Sequence, residues 1–306
     1  MSASRHRLSE GRWHFQHGPM DIVIGAEAQG SNGKAALALA HEQAWAGFAP
    51  LLAELMDEWP TLRLPVQADQ PCPLKGVVAR RMWHACLPWA AHQFITPMAA
   101  VAGSVAQEIL KFYERAGVAR AWVNNGGDIA LHLSPGHSVR VGLYADLARL
   151  QVHELMQGLN LDGAFEVKHT MSVRGVATSG WRGRSFSFGI ADSVTVLAAT
   201  AAQADAAASI IANAVNVDHP GIVRQAAQTL RDHTDLGDLH VTVNVPALSA
   251  VLVDQALQAG LQCARECQMQ GGIAAAVLVC QGRTLLLPMT AANEAVSFQE
   301  EDLALA

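Results

Sequence analysis

Apolar residues recur at helical spacing over 34–58, where Leu37, Leu39, Trp45, Phe48, Leu51, Leu52 and Leu55 mark one face. Ser31 or Asn32 supplies the N-cap of that helix, and Pro60 lies just past its end. Upstream, residues 12–28 predict two strands around a Gly18-Pro19 turn, and the second, 20–25, is apolar enough to be buried. Prolines at 60, 65, 71 and 73 predict an irregular connection rather than a flexible linker. Residues 76–86 predict a short helix. Thr96 and Pro97 then read as the N-cap and first residue of a long helix over 97–116. Residues 98–106 are nearly all Ala, Val, Gly and Ser, and such small side chains let another backbone, or a flat ligand, come close.

The middle of the chain changes period. A strand over 121–124 leads into NNGGD, followed by strands in IALHL and SVRVGLY separated by a Pro-Gly turn. Residues 173–197 alternate strand-like pieces with glycine turns, and 203–216 predict a second helix rich in small residues. The last third reads as a helix over 219–230, a strand over 241–245, a helix over 247–269 and a hairpin of 273–280 with 283–287. Two Ala-rich helices after strand regions form a loose internal echo, too weak to establish a duplication. The order is mixed rather than a regular βαβ alternation, so the expected class is α+β.

Composition narrows the function classes. Of 306 residues, 51% are hydrophobic and 16% charged, and 21 basic against 27 acidic residues leave a net charge of −6. That balance excludes disorder over most of the length and argues against a nucleic-acid partner. The most apolar run, 271–280, has about half of the roughly 20 residues a membrane helix needs. The polar first 18 residues lack the apolar core of a secretory signal, so a cytoplasmic location is expected. Cys72, Cys86, Cys263, Cys267 and Cys280 include no CxxC and suit a reduced protein, with Cys263 and Cys267 one helical turn apart, where they could meet.

Common catalytic patterns are absent. His41-Glu42 and His153-Glu154 begin like HExxH without the second histidine, and Gly33-Lys34 lacks the rest of a phosphate-binding loop. Neither GxGxxG nor GxSxG occurs in a suitable context. His14 and His17 sit beside a turn and read as solvated or strand-end residues. Three clusters remain. In Asn124-Asn125-Gly126-Gly127-Asp128 the glycines allow positive φ, so backbone N–H groups could face an anion or a ring edge. The alternative is a bulge or a tight turn closed by an Asx hydrogen bond. Ala177-Thr178-Ser179-Gly180, with Arg182 and Arg184, suits a pyrophosphate, or else forms a polar loop with solvated arginines. Asp205 and Ser209 are four apart on a helix and offer a carboxylate and a hydroxyl to Mg2+ or Ca2+. Asp205 alternatively serves as a helix-dipole partner.

In this order NNGGDIAL, GVATSG and SVTVLAATAAQADAAAS resemble the ApbE-like superfamily of flavin transferases. HGPMDIVIGAE, VARRM, FITPMAAVAGSVAQEIL and GRSFSFGIADSV resemble one branch of it, of unknown function, over roughly 12–290. The resemblance implies mixed sheets packed with helices, related to the T-fold. It implies one domain over 1–306, or two interlocked α+β halves in which 12–116 and 121–216 form the site and 217–290 complete the fold. It further implies FAD binding, Mg2+, and attachment of FMN to a protein threonine. Asp205 and Ser209 fall on the metal positions. Gly126, Gly127 and Asp128, with Asn125 beside them, fall on the flavin turn, and Ala177, Thr178, Ser179 and Gly180 fall on the cofactor loop. Thr96 and Arg184 join the cofactor-facing set, and Asp128 and Asp192 are the candidate general bases. Two departures stand out: Ala102 precedes Gly103 where the transferases carry a lysine, and GRSFSFGIADSV, with Ser185, Ser187 and Asp192, replaces a histidine-containing stretch. The expected function is that of an FMN transferase-like or FAD pyrophosphate-cleaving enzyme acting on a cytoplasmic flavoprotein. The alternatives are a non-catalytic flavin or nucleotide carrier, or an assembly factor for a flavoenzyme. Expected partners are a flavin nucleotide and that acceptor, with no nucleic acid, no membrane, and a homodimer as one allowed state.

Overall fold

The computed structural model describes residues 2–143 and 163–290. They fall into two compact units built from interleaved segments. The first comprises Met1–Val139, Lys168–Ala177 and Leu197–Ala206, and the second Arg140–Val167, Thr178–Val196 and Ala207–Ala306. The architecture is α+β, with mostly antiparallel strands and helices packed on them.

In the first unit β1 (Ser4–Arg7), β2 (Trp13–His17), β3 (Met20–Ala28), β4 (Val118–Asn125) and β5 (Asp128–Leu133) pair antiparallel in that spatial order. β5 then pairs with the start of a later strand through Ile129–Val176 and Ala130–Gly175. Alternation along β2 and β3 puts Phe15, Ile22 and Ile24 in the core with no exposure. Helix α1 (Gly33–Asp57) covers these strands, followed by the single turn α2 (Trp59–Leu62), α3 (Val77–Cys86) and α4 (Val101–Leu110). The buried side of α1 is Ala40, Ala44, Phe48, Leu51 and Leu55, which continues the expected stripe. Leu39, expected on that face, is 53% exposed instead, because at about 100° per residue it lies on the side of the helix opposite Phe48.

Three expectations need correction, and one strand has no expectation attached to it. The polar SRHR segment forms β1, an edge strand that period-2 hydrophobicity could not reveal. The single helix expected over 97–116 is a 3-10 turn (Pro97–Ala100), α4, and a second 3-10 turn (Lys111–Tyr113), because Ala100 leaves the helical region at φ −125° and ψ 17°. Thr96 occupies the extended N-cap position ahead of the first turn, but its side chain makes no capping bond there. The helix expected over 219–230 is mostly β10 (Val223–Ala226), paired with β11 (His240–Asn244), with one helical turn α6 (Ala227–Leu230) after it. Strand pairing overrides the helical propensity of the Ala-Gln run, as tertiary context often does.

Around α1 the first unit also carries a buried polar contact. His41 Nδ1 lies 2.8 Å from the Tyr113 hydroxyl, and its ring meets Trp13. Burial, reinforced by the nearby Arg7 charge, lowers the His41 pKa to about 4. Stability from this neutral histidine is present above the ordinary pKa near 6.5 and is lost as pH falls toward 4, since only the unfolded chain then gains the proton. The ring is only half-buried, so about 1 kcal/mol is expected between pH 7 and pH 4.5. Urea midpoints should show that loss in the wild type. His41→Gln, which keeps a partner for Tyr113, should show less of it; an equal loss in both would refute the assignment.

β9 (Ser193–Ala198) is a sheet neighbour of β12 (Ala275–Cys280), which pairs antiparallel with β13 (Arg283–Leu287). Helix α7 (Ala250–Met269), capped by the Ser249 hydroxyl, covers β12 and β13. Gly260 lets α7 approach closely: a Cβ there would lie 2.2 Å from Val215 Cγ2. Two further pairs, β6 (Ser138–Leu143) with β7 (Gly163–Lys168) and β10 with β11, form small separate sheets. β8 (Gly175–Ser179) and helix α5 (Ala201–Ala214) complete the elements. Among the described residues no helix is long and apolar enough to cross a membrane.

Candidate functional site

In the first unit, three segments distant in sequence meet at the start of α4. The β4–β5 hairpin turns through Gly126 and Gly127, at φ 67° and 114°, values that glycine adopts without strain. The Gly127 N–H donates to Asn124 Oδ1 at 2.8 Å, so this backbone group closes the turn and the tip is a tight Asx-supported bend. Both tip glycines are exposed. The residues flanking them, Asn125 and Asp128, are directly opposite in the register and are 5% and 8% exposed. As a cross-strand pair they share one face. Asn125 Nδ2 donates to the Ala102 carbonyl at 3.1 Å, and the Asp128 carboxyl is hydrogen-bonded to that of Asp205.

Asp205 reaches this point because α5 begins beside α4. Thr200 accepts the Gln203 N–H and so starts α5, two residues before the expected beginning at 203. Gly103 has no side chain to hold the helices apart: a Cβ there would lie 2.3 Å from the Ala201 carbonyl oxygen. Asp205 Oδ2 accepts the Gly103 N–H at 2.9 Å and also takes the Ala102 N–H. Ala100, the local N-cap of α4, supplies no side-chain bond, so Asp205 satisfies the first-turn donors of α4 from another helix. Small residues over 98–106 therefore do allow close backbone approach, the first of the two readings given above.

Electrostatics at Asp205 are a contest. Two backbone N–H groups and a helix N-terminus favour the carboxylate. Burial and the adjacent Asp128 disfavour it and prevail, so the Asp205 pKa stands well above the ordinary carboxylate range. Two carboxyl groups in contact share a proton, or else require a cation between them.

Ser209 lies one turn further along α5, where its neighbours are mostly buried alanines. Ala177 belongs to the first unit, fully buried in β8. The second unit holds Thr178, Ser179, Gly180, Arg184 and Asp192. Residues 177–179, expected as a loop, continue the strand, and Thr178 Oγ1 meets Thr195 Oγ1 at 2.9 Å. Gly180 sits where a Cβ would lie 2.4 Å from the Asp192 carbonyl oxygen. Arg182 and Arg184 are exposed; Arg182 stacks on Trp181, and its Nε is 3.8 Å from Asp192 Oδ1. Asp192 Oδ2 also accepts the Gln281 N–H at the β12–β13 turn. Ser187 Oγ donates to Asn213 Oδ1 at 2.9 Å. Spacing could not have revealed the Ala102–Gly103 peptide or Thr195 as partners; the Thr200-x-x-Gln203 cap was the one local signal for where α5 begins.

An α+β protein with a carboxylate pair at a helix start, set beside a double-glycine hairpin, is the class these features define. A family described as AbpE bacteria matches residues 5–286, and the chain belongs to it. It is similar to the UPF0280 protein of Methanothrix thermoacetophila, 36% identical over 154 residues, which are 50% of this chain and 58% of that protein. The UPF0280 protein of Methanopyrus kandleri is 36% identical over 180 residues, 58% of this chain and 64% of that protein. That of Methanosarcina barkeri is 40% identical over 124 residues, 40% and 44% respectively. The chain thus spans less than two thirds of the length of these relatives. Family and relatives place it in an ApbE-like branch of unknown function. The crystal structure of the ApbE protein of Thermotoga maritima aligns over 89% of this chain and 81% of that chain, with TM-score 0.34 and 13% identity.

Proposed function

We propose that this chain is a Mg2+-dependent FAD-binding protein, acting as an FMN transferase-like or FAD pyrophosphate-cleaving enzyme on a cytoplasmic flavoprotein. The observation that carries the reading is the contact between Asp128 and Asp205. The pair fits Mg2+ on chemistry as well as position. Mg2+ is commonly held by one or two carboxylates plus substrate phosphates, and a cation removes the repulsion that otherwise keeps Asp205 protonated. Each carboxylate offers about four lone-pair positions, so Asp205 can hold the two backbone N–H groups and still bind a metal. Bound there, Mg2+ would neutralise the charge that develops on the phosphates as the pyrophosphate is cleaved.

The chain's own groups would do the rest. Asp205, with Ser209 one turn on, would bind the cation, while Asp128 orients it and is the first candidate to accept a proton. Asn125 holds the Ala102 carbonyl and so fixes the Ala102–Gly103 peptide, whose N–H donates to Asp205. In the first unit the buried Thr96 and the glycines of the hairpin tip would line the nucleotide. In the second unit Asp192, the other candidate base, already serves Gln281 and Arg182. Incubation of the full chain with FAD and Mg2+ should release AMP, detected by chromatography. Asp205→Ala should bring release to background. Absence of both FAD binding and AMP from the wild type would remove the proposal.

One observation favours a second reading. Where the transferases carry their histidine stretch, Ser187 and Asp192 are engaged in structural hydrogen bonds. A non-catalytic flavin carrier, or an assembly factor for a flavoprotein, would follow. It predicts quenched flavin fluorescence with no AMP.

A further inference from the structure

Away from the carboxylate pair, α7 sets two thiols side by side. Cys263 and Cys267 are one turn apart, and their thiols are hydrogen-bonded to each other. Cys267 faces the core at 2% exposure, while Cys263 is partly open to solvent, so the pair can be reached from one side. Among the described residues no group of three or more His, Cys, Asp or Glu side chains could hold a metal.

Two sulfurs alone suit few ligands. Side chains one turn apart on a helix have Cβ atoms about 5–6 Å apart. A disulfide needs about 3.8 Å, so oxidation to a bridge would have to bend α7. A metal ion between the sulfurs lengthens the link and leaves the helix straight. Soft thiolates select Cu(I) over hard cations such as Mg2+. We propose that Cys263 and Cys267 form a two-thiolate site for one soft monovalent cation of the Cu(I) type. Both S–H bonds break, two S–Cu bonds form, two protons leave to solvent, and no electron is transferred. The resulting bis-thiolate carries one negative charge beside the solvent-facing side of Cys263.

The test uses the full chain without oxygen, with Cu(I) supplied as its acetonitrile complex against bathocuproine disulfonate. The wild type is expected to withhold one equivalent, Cys263→Ser none, and Cys72→Ser one. Asp205→Ala should also withhold one, which separates this site from the flavin reading. No equivalent withheld by the wild type, or one still withheld by Cys263→Ser, overturns the proposal. A second measurement does not depend on any variant folding. Iodoacetamide labelling read by mass spectrometry should show Cys263 protected by one equivalent of Cu(I); protection of Cys72 with Cys263 left open overturns it.

Discussion

Gly103→Ala is expected to destabilise the protein by about 3 kcal/mol or more, and to abolish any metal-dependent behaviour at Asp205. A Cβ at this position would lie 2.3 Å from the Ala201 carbonyl oxygen, 2.6 Å from its carbon and 2.9 Å from Asp205 Cβ. The first two obstacles are backbone, so no rotamer change relieves them, and α4 and the start of α5 must separate. The separation would also draw the Gly103 N–H away from Asp205 Oδ2. Denaturant unfolding measures the loss, with Gly11→Asn as control. Gly11 has φ 73°, and a Cβ added there would meet nothing within 4 Å, so asparagine should cost no more than about 0.5 kcal/mol. A Gly103→Ala protein as stable as the control would mean that the two helices are not in backbone contact.

Asp205→Asn is expected to stabilise the metal-free protein at neutral pH by about 1 kcal/mol or more, an unusual sign for a change at a hydrogen-bonded, partly buried group. Burial and Asp128 hold the Asp205 pKa above its unfolded value. Stability from the protonated form is therefore complete below the ordinary carboxylate range, near pH 4, and is lost as pH rises toward the folded value. A single group can contribute a slope of up to about 1.4 kcal/mol per pH unit over that window. Asparagine can still accept the Gly103 N–H and donate to Asp128, and it has no charge to lose. Unfolding midpoints between pH 4 and pH 8 should fall for the wild type and stay flatter for the variant. Added Mg2+ should restore stability to the wild type at high pH and leave Asp205→Asn unchanged. Loss of stability in Asp205→Asn at neutral pH would show an ionised, individually paired carboxylate and end the shared-proton account.

Much of the frame was readable from pattern. The α1 stripe, the Gly18-Pro19 turn, the hairpin at 281–282 and the strands flanking NNGGD all rest on local period and turn chemistry, and local rules hold where neighbours in sequence are neighbours in space. What pattern could not give were features decided elsewhere in the chain. The β10 strand exists because β11 pairs with it, against the helical propensity of its own residues. The break at Ala100 leaves Asp205 to satisfy the first-turn donors of α4 from another helix. At the candidate site, residue type and spacing singled out Asp205 with Ser209 as a possible cation pair, or Asp205 alone as an ordinary helix-start acid. Asp128 and Asp205 came together through resemblance, and their contact spans two segments that no periodicity links. The pairing of Asn125 with the Ala102 carbonyl had no local signature at all.

Asp205 holds the first turn of α4 whether or not a nucleotide ever binds. Selection for folding alone would then keep a short acid or amide at that position, even in a relative that has given up the chemistry. Asp128 is different: an amide there could satisfy Asp205 equally well without placing a second negative group beside it. If the proposed chemistry is present in this branch, the acid at the hairpin is the better discriminator of it, and the acid on the alanine-rich helix mainly reports that the scaffold is intact.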